Sequence, residues 1–151
     1  MPRELMYVLI VSVMLVSCSG SRPTNLGMRE GKLAPCPESS NCVSSQSTDE
    51  KHFIEPLSYD GSLAGARGNL VSIIQSMKRS RIISKEDTYI HAEFTSALFR
   101  FVDDVEFYFD DTAQTIHTRS ASRVGYSDLG VNRKRIEAIR SKFTSLTGQK
   151  E

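Results

Sequence analysis

Tyr89-Ile90-His91-Ala92-Glu93-Phe94 and Asp104-Val105-Glu106-Phe107-Tyr108-Phe109-Asp110 decide how this chain folds. In both stretches apolar and polar side chains alternate with a period of two, the pattern of a strand with one face toward a core. Ile90, Ala92, Phe94, Val105, Phe107 and Phe109 supply that face. A third stretch repeats the pattern, with Ile116 and Thr118 alternating with His117 and Arg119. Asp110-Asp111-Thr112-Ala113 reads as the hairpin turn before it, and residues 81–84 offer one more strand.

On either side the period changes to that of a helix. Leu63, Ala66, Leu70, Ile73, Ile74 and Met77 share one stripe, most firmly over residues 68–79, because Gly61, Gly65 and Gly68 weaken its start. Ile136, Ile139, Phe143 and Leu146 form a second stripe over residues 133–146, with Asn132 as expected N-cap and Gly148 as expected stop. Two helices on one face of an antiparallel sheet of about four strands is the economical arrangement, an α+β domain.

The start of the chain has a different character. Residues 5–16 are apolar apart from Ser12, a run of roughly 18 Å as a helix against a hydrocarbon core of about 30 Å. That length suits the apolar region of a signal peptide, with Arg3 as its positive start. Leu15-Val16-Ser17-Cys18 then reads as a lipobox, so residues 1–17 are expected to be removed and Cys18 to receive lipid. Residues 18–34, with Gly20, Ser21, Pro23, Gly27 and Gly31, read as a flexible tether, a packed arm being the alternative. Residues 35–148 have the composition of one globular domain. The expected location is the cell envelope, lipid-anchored. In a host with two membranes, Ser19 after Cys18 favours the outer one, facing the periplasm.

Three cysteines in an exported chain leave an odd thiol, which lipid on Cys18 would remove. Cys36 and Cys42, in a loop rich in turn formers, are then candidates for a disulfide, with two free buried thiols as the alternative. Their spacing fits neither a redox motif nor a zinc ribbon. Nineteen basic and eighteen acidic residues give a net charge of +1. That balance argues against a nucleic-acid partner.

If the strand register holds, His91, Glu93, Glu106, Tyr108, His117 and Arg119 share the face opposite the core. His91 and Glu93 have the spacing for proton exchange or metal binding, yet no third ligand follows, so no metal or other cofactor is assigned. A second candidate lies in Arg119-Ser120-Ala121-Ser122-Arg123 and Asn132-Arg133-Lys134-Arg135. Cations at a helix start oppose its dipole. An anion held by Arg119, Arg123, Arg133, Lys134 and Arg135 would relieve this, as would Asp128 or carboxylates from the sheet. Gly125-Tyr126-Ser127-Asp128-Leu129-Gly130 lacks the glycine two residues after serine that a hydrolase elbow requires.

Pro35-Cys36-Pro37, Asn41-Cys42-Val43-Ser44-Ser45, His91-Ala92-Glu93-Phe94-Thr95-Ser96, Phe101-Val102-Asp103-Asp104-Val105-Glu106-Phe107 and the whole stretch 119–135 resemble the signature segments of DUF1499, a domain family of unknown function. The resemblance runs from about Leu33 and implies an envelope or membrane-associated setting, with no activity and no catalytic residues to carry over. The expected function is a non-catalytic envelope domain for an anionic small molecule or envelope component. An enzyme using His91, Glu93 and Arg119, as hydrolase or metal-dependent catalyst, is one alternative. A scaffold for another envelope protein is the other.

Overall fold

The period-two stretches pair side by side in the computed structural model, which describes residues 20–148. In chain order the elements are β1 (Cys42–Ser44), β2 (Leu57–Ser58), α1 (Leu63–Ser76), β3 (Ser80–Lys85), β4 (Tyr89–Thr95), β5 (Val102–Asp110), β6 (Thr115–Ser122) and α2 (Val131–Thr147). The sheet runs β1-β6-β5-β4-β3, antiparallel throughout, with β2 also paired to β6. The class is α+β, with six strands rather than about four. The two extra strands, β1 and β2, are three and two residues long, too short for alternation to register. Their hydrogen bonds to the β6 edge alone define them.

Both helices pack on the face carrying Ile90, Ala92, Phe94, Val105, Phe107, Phe109 and Ile116. Helix α1 brings Ala66, Leu70, Ile73 and Ile74, and α2 brings Ile136, Ile139 and Phe143. Each large side chain so buried contributes roughly 2 kcal/mol. A one-residue slip of β4 or β5 would exchange that gain for buried carboxylates, so the register is strongly specified.

Helix α1 begins five residues before the expected firm start, because the Ser62 side chain accepts the Gly65 N–H and caps it. It ends at Ser76, and Arg79, at φ 57°, turns the chain into β3. Helix α2 begins at Val131, and its cap is not Asn132. The Asp128 carboxylate accepts the N–H groups of Gly130 and Asn132 instead, at 2.9 and 2.8 Å, while Gly130 adopts φ 78°. Asn132 is fully buried, donating to Asn41 O and Ser122 Oγ and accepting from Ser120 Oγ. Gly148 ends the helix as expected, while Leu146 is 57% exposed.

The second sheet face is not open to water. The described part of the segment expected to be a flexible tether crosses it as a packed arm. Gly27, at φ 103°, donates its N–H to Glu106 Oε1 at 2.8 Å. Arg22 reaches Glu93 at 2.6 Å, and Gln46 grips the arm at Leu33 N and Gly31 O. The physical reason is hydrogen-bond demand: carboxylates on this face need donors, and the arm's backbone and Arg22 supply them. The disulfide Cys36–Cys42 then ties the arm's end to β1. The lipobox, with Cys18, lies outside the described residues. Among those described, no helix is long and apolar enough to cross a membrane.

Candidate functional site

Pairing of β4, β5 and β6 sets His91 opposite Glu106 and Glu106 opposite Arg119, with Glu93 opposite Asp104 one step along. The six residues expected to share the face do share it. They are not a solvated surface: His91, Glu93, Asp104, Glu106 and Arg119 are all buried beneath the arm.

Buried charge persists only when it is paired, and here the pairing is dense. Arg119 Nη1 donates to Glu106 Oε2 at 3.0 Å, while Tyr89 Oη donates to Glu106 Oε1 at 2.8 Å. Arg123 makes a fork on Asp104, through Nε to Oδ2 and Nη2 to Oδ1, both at 2.8 Å, and also reaches Glu93. His91 Nε2 lies 2.8 Å from Asp104 Oδ1. Glu93 receives Arg22, Arg81 and Arg123 together. Burial pushes the Glu93 carboxyl up, but the three guanidinium groups outweigh it and hold the value at about 2. Asp104 is likewise lowered, burial being overcome by Arg123 and His91. Burial, then Glu106, pushes the Tyr89 phenol up.

His117 belongs to the same face but stands apart. It is half-buried, stacks on Tyr108 at 5.9 Å and approaches Ser45 Oγ, and burial lowers its pKa. His52, which has no partner legible in the sequence, lies between Asp49 at 2.6 Å and the Ser39 carbonyl at 3.0 Å, bracing the disulfide loop.

The five cations expected to hold one anion do not converge, because the sheet divides them. Arg119 and Arg123 serve the carboxylates of the arm-covered face. Arg135 works on the helix side, bound to Asp103 and Ser120 Oγ with its guanidinium 4.9 Å from the centre of the Phe94 ring. Arg133 donates to the Lys51 carbonyl, and Lys134 is exposed. Asp128 occupies the α2 N–H groups. The conflict between cations and dipole is thus settled by internal carboxylates.

What the structure assembles instead is a pocket of about 520 Å³ at the end of β3, β4 and β5, rimmed by Arg22, Arg79, Arg81, Arg100 and Arg123 around Glu93. Arg79 donates to the Thr95 carbonyl. Arg100 makes no hydrogen bond or ion pair among the described residues. Arg119 Nε, which lies outside this pocket, also lacks a partner among them. Four of the rim arginines carry no sequence signal, coming from an arm, two turns and an edge strand. Among the described residues no group of three His, Cys, Asp or Glu side chains is placed to hold a metal.

The family model described as protein of unknown function (DUF1499) matches residues 32–143, from the end of the arm to α2, and the chain belongs to that family. Comparison with curated proteins gives no match.

Proposed function

We propose that this protein is a non-catalytic binding domain, held in the cell envelope by lipid on Cys18, that takes an anionic small molecule or envelope component in the arginine-rimmed pocket. One observation carries the reading: five arginines surround a single carboxylate in one open pocket. Glu93 engages three of them, so the pocket keeps an excess of fixed positive charge. Guanidinium groups bind phosphate and carboxylate with paired hydrogen bonds, and Arg100 and Arg79 stand exposed at the rim for that purpose. The commitments of His91 to Asp104 and of Glu93 to three arginines favour binding over catalysis, since neither is spare as a base or metal ligand. The sorting reading from Ser19 places the domain on the outer membrane, facing the periplasm, in a host that has one.

Calorimetric titration of the purified chain with inorganic phosphate, glycerol 3-phosphate and citrate tests this. Arg79→Ala/Arg100→Ala removes two exposed groups without touching the buried network, and affinity for the anion that binds is expected to fall at least about tenfold, roughly 1.4 kcal/mol. Unchanged affinity in a variant with unchanged melting temperature would remove the pocket from consideration.

A further inference from the structure

Three loops and the start of the arm meet at one end of the sheet: the α1–β3 turn, the β4–β5 loop, the β6–α2 loop and Gly20. This end carries an unusual display of apolar side chains. Leu98, Phe99, Tyr126 and Leu129 are 79%, 66%, 71% and 87% exposed. Phe99 stacks on Phe101 at 5.5 Å. Leu129 adopts φ 55°, a costly backbone for leucine, and spends it on pointing into solvent. Between the loops a largely apolar pocket of about 610 Å³ is lined by Gly20, Phe101, Val124 and Val131, with Asp103 and Asp128 also in its wall. Lys78, Arg79 and Arg100 stand exposed on the loops of the same end, the last two at the rim of the neighbouring arginine pocket.

We infer that this end is a membrane-docking surface, seated on an anionic lipid bilayer. The occupant follows from where the chain arrives. Gly20 packs so closely on Arg123 and Val124 that an added Cβ would come within 2.9 Å of both. Cys18 stands two positions before Gly20 in the sequence, so a lipid on Cys18 would enter the bilayer on the side of Phe101, Val124 and Val131, at the end where the apolar loop tips stand. Aromatic and aliphatic tips sink into the boundary between headgroups and acyl chains, while the flanking cations meet anionic headgroups. The docking surface goes beyond the anion-pocket reading, with which it shares Arg79 and Arg100, and it rests on the proposed anchor for how the chain reaches the bilayer.

The chain contains no tryptophan, so one introduced tryptophan reports one place. Phe99→Trp and Leu129→Trp probe the proposed surface. Leu146→Trp, exposed near the far end of α2 and about 22 Å along that helix from Val131, is the control. The full protein is reconstituted on vesicles of phosphatidylethanolamine and phosphatidylglycerol, with and without brominated acyl chains. Side chains lying ~5–10 Å into the headgroup boundary should shift their emission to the blue and lose about half of it to the bromines. That result is expected at positions 99 and 129 and not at 146. Equal quenching at all three sites, or none, would overturn the docking surface. So would the absence of quenching with self-association abolished by Phe99→Ser/Leu129→Ser, which would give the patch to a second copy of the chain. Mass analysis of Cys18 separates the two readings. Quenching at 99 and 129 without lipid on Cys18 sinks the anchor and keeps the surface, and lipid without quenching does the reverse.

Discussion

Glu93 stands where a strand residue meets three arginines, all from outside its own strand, one 71 positions away in the arm. Its place on a shared face with His91 is legible from β4 alone. Its burial is not, because the cover comes from a segment without periodicity. The consequence is a pH dependence of stability. Folding lowers the carboxyl from 4.5 to about 2, so between those values the unfolded chain binds more protons than the folded one. Stability is therefore fully present above about pH 4.5 and declines as pH falls toward 2, a contribution on the order of 3 kcal/mol. Asp104, lowered in the same way, adds to the slope. In urea unfolding followed by circular dichroism across this range, Glu93→Gln is expected to be less stable than the parent at pH 7 and to lose stability less steeply in acid. An identical slope in both proteins would mean that Glu93 is not paired as described.

At the scale of elements, periodicity identifies β4, β5, β6 and both helices, since one buried face writes itself into consecutive residues. Boundaries are less legible. Asn132 has the chemistry of a cap, yet it lies inside the first turn of α2 as a buried hub joining β1, β6 and the helix. Asp128, four residues earlier, takes the cap. Burial pushes its carboxyl up, but the N–H groups of Asn132 and Gly130 and the Asn132 side chain outweigh that and lower it. Asp128→Ala should cost about 1–2 kcal/mol in urea unfolding at neutral pH. A loss below a few tenths would show that Asp128 does not hold the α2 start as described. Arg135 shows why these cations do not act as one unit. Neighbours in sequence at a helix start point to different sides, and its partner Asp103 lies on β5, which sequence spacing does not reveal.

The molecule as a whole has three layers: helices, sheet and arm. The disulfide joins the third to the second, closing a loop of seven residues from Cys36 to Cys42 beside the arm's end at Leu33. Closing a loop that small restricts the unfolded chain by about 2 kcal/mol. Cys36→Ser/Cys42→Ser should lower the unfolding free energy by that amount and increase amide hydrogen exchange at Gly27 and Leu33, whose N–H groups bind Glu106 and Gln46. A destabilisation with unchanged exchange there would detach the disulfide from any role in seating the arm. What the sequence determined by itself is the α+β class and the residues sharing each sheet face, because strand and helix periods are local geometry repeated along the chain. Only the tertiary structure decided that the polar face is an interior. The arm is held by backbone N–H groups, a single arginine and carboxylates some 70 to 80 positions away. Such contacts leave no period in the sequence, and the same fold that hides Arg119 and Arg123 brings Arg79 and Arg100 together at its edge.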